Sequence, residues 1–272
     1  MSFNSKKQLV EFLSKDIGKV DITSDLLPKR KITARIISRE NAVVAGAKYA
    51  EEIFKLKGCN AKIIKKDGSK VKPNQTIMTI SGEAAKILTC ERTALNLLSR
   101  MSGIATQTEQ LVRKISNKKT RLYATRKTAP GLRYFDKEAV EVGGGKKHRL
   151  RLDEMVMIKD NHIAVADSLL SLIKSAKGKY KKFEVEVENT ADAVLAAKEG
   201  ATIIMLDNFS PEQIKKTIQV LKGMKLRNKV LLEASGGINA KNIARYGNTG
   251  VDIISIGSIT NSVKGIDMSL EV

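Results

Sequence analysis

Six short apolar runs after residue 120 constrain the fold more than any other feature of this 272-residue sequence. The runs are "RLYATRK", "EMVMIKD", "FEVEVE", "TIIMLD", "VLLEASGG" and "DIISIG". Segments with helical character separate most of them, for example "NTADAVLAAKEG" and "SPEQIKKTIQVLKG". Strands that alternate with helices are typical of a parallel sheet, because each helix returns the chain to the start of the next strand. The pattern predicts an α/β fold with a six-stranded parallel sheet or barrel.

Polar residues or glycine stand at or near the C-terminal end of each predicted strand. They are Arg126, Lys127, Lys159, Glu186, Glu188, Asp207, Glu233, Ser235 and Gly257. Closing such a sheet into a barrel brings these strand ends to one mouth, where barrel enzymes place their chemistry. One charged strand end would be uninformative, but a succession of six predicts a functional site at this mouth.

The chain changes character near residue 105. Before it come an amphipathic opening helix, a helix at "AGAKYAEEIFKLKG", strands at "AKIIKKDG" and "QTIMTISG", and a long helical connector that includes "ERTALNLLSRMSGIAT". We predict a smaller α+β domain with its connector over residues 1–105 and a barrel domain over residues 106–263. Whether the tail, residues 264–272, packs on the smaller domain is left open.

The net charge of +20 raises the question of a nucleic-acid partner. Aromatic residues make up only 4% of the chain, Trp is absent, and lysines are spread over nearly every predicted helix. This distribution is typical of solvated surfaces rather than of one basic stripe. We expect no nucleic-acid partner, and keep a basic nucleic-acid-binding protein as the alternative from another class.

Composition also bears on location. No run approaches the roughly 18 apolar residues that cross a bilayer, and the opening "MSFNSKKQLVEFLSKDI" lacks the apolar core of a signal peptide. Cys59 and Cys90 lack the spacing of a zinc site or a disulfide framework, so we expect buried free thiols. We therefore expect a cytoplasmic protein without a membrane partner.

One half of the predicted mouth is cationic. Arg126, Lys127, His148, Arg149 and Lys159 all follow predicted strands or lie in the loops between them. Arg pairs with carboxylates and phosphates in a bidentate manner, and Lys acts as a point charge. These residues predict a substrate with several negative charges.

The other half is acidic. Glu186 and Asp207 end neighbouring strands, and carboxylates facing a cationic pocket suggest a divalent metal or a developing positive charge. A Mg²⁺-pyrophosphate group would explain both halves together. Glu184 and Glu188 share a strand face with Glu186 by the two-residue period, and for these two a structural pairing with the cations is at least as well supported as a catalytic role.

Each of two glycine motifs alone is typical of a tight turn, but the pair in this position favours a phosphate site. In "SGGINAKNIARYG", Ser235, Gly236 and Gly237 follow a strand and precede a helix, so backbone N–H groups there can hold a monophosphate. In "SIGSIT", Gly257 and Ser258 form a second short turn after the last strand. Phosphate sites after the closing strands recur in barrels.

Eight motifs together resemble those of the quinolinate phosphoribosyltransferases, in the order of that family. They are "ERTALNLLSRMSGIAT", "TRKTAPGLR", "GGGKKHR", "IKDNHI", "EVEVEN", "IMLDNFSPE", "LEASGGI" and "SIGSIT". The amino-terminal region is also similar to the smaller domain of this family, so the resemblance covers nearly the whole chain. It implies an incomplete α/β barrel, a homodimer with a shared active site, and Mg²⁺. It also implies synthesis of nicotinate mononucleotide from quinolinate and phosphoribosyl pyrophosphate, with release of pyrophosphate and CO₂, for NAD biosynthesis. Assembly into hexamers is left open.

The resemblance also implies a role for each matching residue. The quinolinate carboxylates and the pyrophosphate would be surrounded by Arg126, Lys127, His148, Arg149 and Lys159, with Arg92 of the other subunit. Lys127 and Lys159 would also take up charge on the leaving group. Glu186 and Asp207 would face the ribose and the Mg²⁺-pyrophosphate, while Ser235, Gly236, Gly237, Gly257 and Ser258 would hold the 5′-phosphate. His148 is assigned to binding rather than proton transfer, and for His162 a structural hydrogen bond and a role in the site stay equally open.

Two positions depart from the family pattern. Ala129 stands in "APGLR" where "TPGLR" is commoner, and Asn261 stands where many members have His, so any role of that His passes to Asn261 or water.

The alternatives within the same class are the molybdenum-associated relative of the family and a nicotinate phosphoribosyltransferase. The intact "IKDNH" favours the quinolinate enzyme over the first, and a second carboxylate clamp favours it over the other.

Overall fold

The structure is a computed structural model that describes residues 4–272. Its α-helices are α1 (Ser5–Ile17), α2 (Ala47–Leu56), α3 (Ala84–Lys114), α4 (Arg133–Val142), α5 (Asp160–Ala164), α6 (Leu169–Lys179), α7 (Thr190–Glu199), α8 (Pro211–Gly223), α9 (Ile243–Gly247) and α10 (Ser258–Asn261). Its strands are β1 (Lys31–Ser38), β2 (Ala42–Val43), β3 (Asn60–Ile63), β4 (Lys70–Val71), β5 (Thr76–Glu83), β6 (Arg121–Tyr123), β7 (Val156–Ile158), β8 (Phe183–Val187), β9 (Ile203–Asp207), β10 (Leu231–Ser235), β11 (Ile253–Ser255) and β12 (Met268–Glu271). Short 3₁₀ helices occupy Ser24–Leu26 and Arg227–Lys229.

The chain divides into two compact units. The first comprises the described residues up to Glu109 together with Ala129–Gly144 and Ser262–Val272, and the second comprises Gln110–Thr128 and Gly145–Asn261. The predicted division at residue 105 assigned residues 129–144 to the barrel, whereas these residues lie with the first unit.

Helix α4 accounts for this difference. The ring of Phe135 packs edge-on against Tyr49, with 4.9 Å between ring centroids. Asp136 is fully buried and accepts two hydrogen bonds from the Arg100 guanidinium, at 2.8 and 2.9 Å. A buried carboxylate is stable only when it is paired, so α4 is anchored to α3 within the first unit. The sequence contains no local signal for either contact.

The first unit is built on an antiparallel sheet with the strand order β12-β1-β5-β3. Strand β12 pairs with β1, with Ile36 opposite Leu270, so the C-terminal tail is part of this sheet. Helix α3 covers 31 residues. Of the apolar positions that recur near its helical period, Ile87, Leu95, Leu98 and Met101 are buried and Leu88 is half-buried.

The second unit contains the six predicted strands in one parallel sheet, in the order β6-β11-β10-β9-β8-β7. The sheet follows the order of an incomplete barrel. Its edge strands β6 and β7 are not paired with each other in the part of the chain that the structure describes, so the barrel is not closed. The fold predicted from the alternating strands and helices is confirmed.

Capping residues mark the ends of two helices in the second unit. The Asn189 side chain accepts a hydrogen bond from Asp192 N and caps α7, which ends at Gly200 with a φ of 95°. Ser210 and Gln213 form a capping box at the start of α8. Both helices therefore begin directly after the strand ends that carry the predicted site residues.

Within residues 4–272, no helix combines the length and the apolar character needed to cross a bilayer. Cys59 and Cys90 are both buried and unpaired, as expected.

Candidate active site

A cavity of about 320 Å³ lies in the second unit at the C-terminal ends of the parallel strands. Eight of the predicted site residues line it: Arg126, Lys127, His148, Arg149, Lys159, Glu186, Asp207 and Ser235. Its volume is within the range of small-molecule sites. The structure therefore brings these eight residues together around one cavity.

Other lining residues were not among the predicted substrate contacts. Glu233, Ser255, Thr125, Met157 and Met205 complete much of the wall. The methionines belong to apolar runs that periodicity assigns to core, so no sequence signal separates them from the residues beneath. They give the cavity an apolar side suited to a flat ring.

The Arg149 guanidinium, which lines the cavity, is held by two contacts near β7. Its Nη1 donates to the carbonyl of Met155 at 2.7 Å, and its Nη2 lies 3.4 Å from the sulfur of Met157. Burial, together with the charge of nearby Arg126, lowers the pKa of Arg149. Two cations held this close together in a partly buried wall are stabilised by an anion between them.

His148 and Glu233, which both line the cavity, form a cluster with the buried Glu184. His148 Nε2 is 3.2 Å from a Glu184 oxygen and 3.7 Å from a Glu233 oxygen, and both glutamates are fully buried. Burial raises the pKa of Glu184, and the charge of Glu233 adds to this effect, while His148 opposes it. The pairing of Glu184 with a cationic residue, one of the two alternatives for this position, is what the structure contains.

Both ring nitrogens of His148 face protein atoms. Nδ1 accepts a hydrogen bond from Arg149 N at 2.8 Å, and Nε2 faces the two carboxylates. His148 also has a φ of 52°, in the left-handed region that residues other than glycine seldom adopt. His148 thus lines the cavity while both of its ring nitrogens lie close to protein atoms.

Lys159 and Glu186 form an ion pair across the cavity wall. Lys159 N also donates to Nδ1 of His162 at 3.0 Å, at the start of α5. His162 itself is exposed. A structural hydrogen bond is therefore present at His162, and it holds the backbone of Lys159 in place.

Asp207 is oriented by its neighbour Asn208, a residue that the sequence analysis missed. Asn208 Nδ2 donates to Asp207 Oδ2 at 2.8 Å, and Asn208 N donates to the carbonyl of Ser235 at 2.9 Å. The position directly after a strand end in "LDNF" was the only available signal. Asn tolerates the left-handed backbone that such turns require, so this signal was weak.

The first glycine motif forms a loop rather than a helix start. Gly236 and Gly237 have φ values of 84° and 63°, and α9 begins only at Ile243. Asn242 delays the helix, because its side chain donates to the carbonyl of Gly237 and accepts from Asn239 N. The predicted phosphate grip at a helix N-terminus is thus replaced by consecutive backbone N–H groups in a turn, which can also bind anions.

The second glycine motif packs against the loop that carries Lys127. A Cβ atom at Gly257 would lie 3.0 Å from Lys127 Cδ, and the Thr260 hydroxyl donates to the Lys127 carbonyl at 2.7 Å. Ser258 begins α10, and Asn261 is exposed at its end. This motif therefore positions Lys127, a function that its sequence did not reveal.

Two predicted strand-end or site residues lie elsewhere. Glu188 falls after the end of β8 and is exposed, unlike Glu184. Arg92 lies on α3 in the first unit, with its side chain 67% exposed and one guanidinium nitrogen 3.9 Å from a Glu91 oxygen. The cavity of the second unit is lined without either of them.

The described residues bring three potential metal ligands together at one place, the cluster of His148, Glu184 and Glu233, whose ligand atoms lie within 4.8 Å of one another. The predicted metal residues Glu186 and Asp207 both line the cavity but belong to no such cluster in this part of the chain.

Comparison with known proteins identifies the family of this chain. Residues 21–102 match the N-terminal domain of quinolinate phosphoribosyl transferase, and residues 104–271 match its C-terminal domain. The chain is 44% identical over 269 residues to the probable nicotinate-nucleotide pyrophosphorylase (carboxylating) of Methanothermobacter thermautotrophicus, covering 96% of each chain.

Solved structures of similar proteins share the fold. The nicotinate-nucleotide pyrophosphorylase from Francisella tularensis is 39% identical with a TM-score of 0.90, covering 98% of this chain and 95% of that one. The nicotinate-nucleotide pyrophosphorylase from Ehrlichia chaffeensis is 36% identical with a TM-score of 0.93, covering 100% of this chain and 99% of that one. From the order of its motifs, its six-stranded sheet and these matches, the chain belongs to the quinolinate phosphoribosyl transferase family.

Proposed function

We propose that this protein transfers the phosphoribosyl group of phosphoribosyl pyrophosphate to quinolinate, with decarboxylation, and so acts as a nicotinate-nucleotide pyrophosphorylase in NAD biosynthesis. The observation that carries the proposal is the cavity itself, where five basic residues and the carboxylates of Glu186 and Asp207 meet at the strand ends. Quinolinate brings two carboxylates and the second substrate brings phosphates, so both require a cationic wall.

Arg126 and Arg149 are the residues we assign to the quinolinate carboxylates. Arg126 Nε is buried without a hydrogen-bond partner among residues 4–272. A buried donor of this kind is satisfied when a bound carboxylate accepts from it. Met157 and Met205 offer an apolar surface for the pyridine ring.

Glu186 and Asp207 are assigned to the ribose. As the bond between C1′ and the pyrophosphate oxygen breaks, positive charge develops on the ring of the sugar. Fixed carboxylates aimed at this charge lower the barrier because they need no reorganisation during the reaction. Lys127 and Lys159 are assigned to the negative charge that accumulates on the leaving group.

The pyridine nitrogen then bonds to C1′ and becomes cationic. The bond to the adjacent carboxylate breaks, its electron pair stays on the ring carbon beside the cationic nitrogen, and this carbon takes a proton. The cationic ring is itself the electron sink, so no general base is needed. This agrees with the position of His148, whose Nδ1 accepts from Arg149 N and whose Nε2 lies 3.2 Å from a Glu184 oxygen.

Mg²⁺ is part of the proposal. The oxygen ligands that Glu186 and Asp207 offer suit this ion, and both lie in the wall of one cavity. We assign these two carboxylates to the Mg²⁺-pyrophosphate, directly or through water. When bound, the ion supplies charge neutralisation for the leaving pyrophosphate.

The 5′-phosphate is assigned to Ser235, Gly236 and Gly237. Ser235 lines the cavity, and the two glycines have left-handed backbones that turn successive N–H groups to one side. Gly257 and Ser258 are assigned to the same phosphate through the turn that also supports Lys127.

We further propose a homodimer in which Arg92 of one subunit completes the site of the other. Its support is an exposed guanidinium whose recorded ion contact is a weak one, 3.9 Å long. We propose a cytoplasmic location, because two unpaired buried thiols suit a reducing compartment.

The test is an assay with quinolinate, phosphoribosyl pyrophosphate and Mg²⁺ that follows both nicotinate mononucleotide and CO₂ labelled from the 2-carboxylate. Equal yields of the two products are expected. Turnover of nicotinate but not quinolinate would instead indicate a nicotinate phosphoribosyltransferase. A salt-sensitive gel shift of DNA or RNA without turnover would indicate a nucleic-acid-binding protein.

A further inference from the structure

Asn208 follows the last residue of β9 and has a φ of 56°. Successive side chains of a strand point to opposite faces, so Asp207 and Asn208 would be kept apart if the strand continued. The left-handed backbone at Asn208 changes this, and its amide nitrogen reaches Asp207 Oδ2 at 2.8 Å. The hydrogen bond therefore depends on the turn.

The turn is tied to the neighbouring strand. Asp207 lies opposite Ser235 in the parallel pairing of β9 with β10, and Asn208 N donates to the Ser235 carbonyl at 2.9 Å. The side chain of Asn208 packs so closely on Gly236 that a Cβ there would lie 2.2 Å from Asn208 Oδ1 and 2.8 Å from Asn208 N. Only glycine fits at residue 236 while Asn208 keeps this position.

The two site carboxylates differ in the kind of partner that they have. Glu186 forms an ion pair with Lys159. Asp207 has no ion pair with any described residue, and the partner recorded for it is the neutral amide of Asn208. A neutral donor orients a carboxylate without placing an opposite charge beside it, as a lysine does at Glu186.

From this geometry, and resting on the proposed function, we propose that Asn208 is a positioning residue that orients the Asp207 carboxylate and couples it to the loop of Ser235 and Gly236. It acts through Asp207 and contacts no substrate. The coupling places the ribose-facing carboxylate in register with the loop assigned to the 5′-phosphate.

Two substitutions separate the amide from the turn. Asn208→Gly keeps the left-handed backbone, because glycine adopts it readily, and removes the amide. Asn208→Asp keeps the shape and tolerates the same backbone, but it cannot donate to Asp207 and adds a like charge beside it. Both variants retain the N–H that bonds to Ser235. A residue that only held the turn would tolerate both.

We expect kcat to fall by about 10- to 100-fold in Asn208→Gly, and at least as far in Asn208→Asp, because a hydrogen bond to a charged group is lost. The dissociation constant of quinolinate should stay within about twofold of wild type, since the change affects the transition state rather than this binding step. Asn74 has a φ of 66° and lies in the first unit, so Asn74→Gly and Asn74→Asp are matched controls with unchanged kinetics.

A double-mutant cycle tests the route of action. In an Asp207→Asn background, Asn208→Gly should lower kcat by less than about twofold, because the amide no longer has a charged carboxylate to orient. Multiplicative losses, a kcat of Asn208→Asp close to wild type, or a loss of quinolinate affinity as large as the loss of kcat would each overturn the proposal. Wild-type protein and the Asn74 variants report separately whether the proposed reaction occurs at all.

Discussion

The buried cluster of His148, Glu184 and Glu233 predicts an unusual dependence of stability on pH. Desolvation lowers the pKa of His148, but the two carboxylates outweigh it and raise the pKa from 6.5 to about 9. A histidine whose pKa is raised by folding binds its proton more tightly in the native state. Its stabilisation is fully present below pH 6.5 and is lost as the pH rises through about 9.

The magnitude follows from the shift. Raising the pKa from 6.5 to about 9 corresponds to about 3 kcal/mol of stability at acid pH. The hydrogen bond from Arg149 N to Nδ1 opposes a second proton on the ring, so about 3 kcal/mol is an upper bound. Glu184, at 3.2 Å, leads the raising contributions.

Glu184→Gln is the perturbation, because it keeps the shape of the side chain and removes its charge. Urea unfolding of wild type should show a free energy of unfolding that declines between pH 6.5 and 9. In Glu184→Gln this decline should shrink by about half, on the order of 1.5 kcal/mol. The raised pKa of Glu184 itself has the same sign, so its loss also flattens the curve.

Glu188→Gln provides the matched control, since Glu188 follows the same strand but is exposed. Its pH profile should equal that of wild type. NMR titration adds a direct measurement, because the chain has only two histidines and His162→Asn assigns the remaining signal to His148. The reasoning is refuted if Glu184→Gln leaves both the slope of stability and the titration of His148 unchanged.

Further predictions concern the charged residues of the site. Arg149→Ala should lower kcat/KM for quinolinate by the equivalent of about 2 to 5 kcal/mol while the fold stays intact. Arg151→Ala, at an exposed position two residues away, should leave kcat/KM nearly unchanged. Lys159→Ala should impair turnover similarly, because it removes a cation from the cavity and leaves Glu186 without its ion pair. Mixing inactive Arg92→Ala and Glu186→Ala proteins should restore activity in heterodimers, where one of the two sites has both wild-type residues. No recovery after confirmed subunit exchange would assign Arg92 to the surface of its own chain.

Part of the cationic wall was predictable because Arg126, Lys127 and Lys159 follow strands whose ends could be read locally, and parallel strands bring such ends to one edge. His148 and Arg149 lie in the loop before β7, and only the basic character of that loop pointed to them. The strand-end pattern also found Glu186 and Asp207. It did not distinguish Glu188, which lies one residue beyond its strand, because strand ends are uncertain by a residue or two when read from sequence.

The departures share a physical cause. The late start of α9 depends on Asn242 bonding to the Gly237 carbonyl, and the assignment of residues 129–144 depends on Arg100 binding a buried Asp136. Each contact joins a residue to a partner whose position is set elsewhere. Periodicity indicates only which face of a helix or strand a residue lies on, so it does not identify such partners.

The sequence by itself determined the set of strands and helices, the sheet they form, and the edge of that sheet where most of the site residues lie. These features follow from local periodicity and the direction of parallel strands. Only the tertiary structure decided how the site residues are held. The approach of His148 to Glu184 and Glu233 and the close packing of Asn208 on Gly236 arise between different strands and loops. Distances across a sheet depend on register and on turns with left-handed backbones, and both are set when the whole core packs.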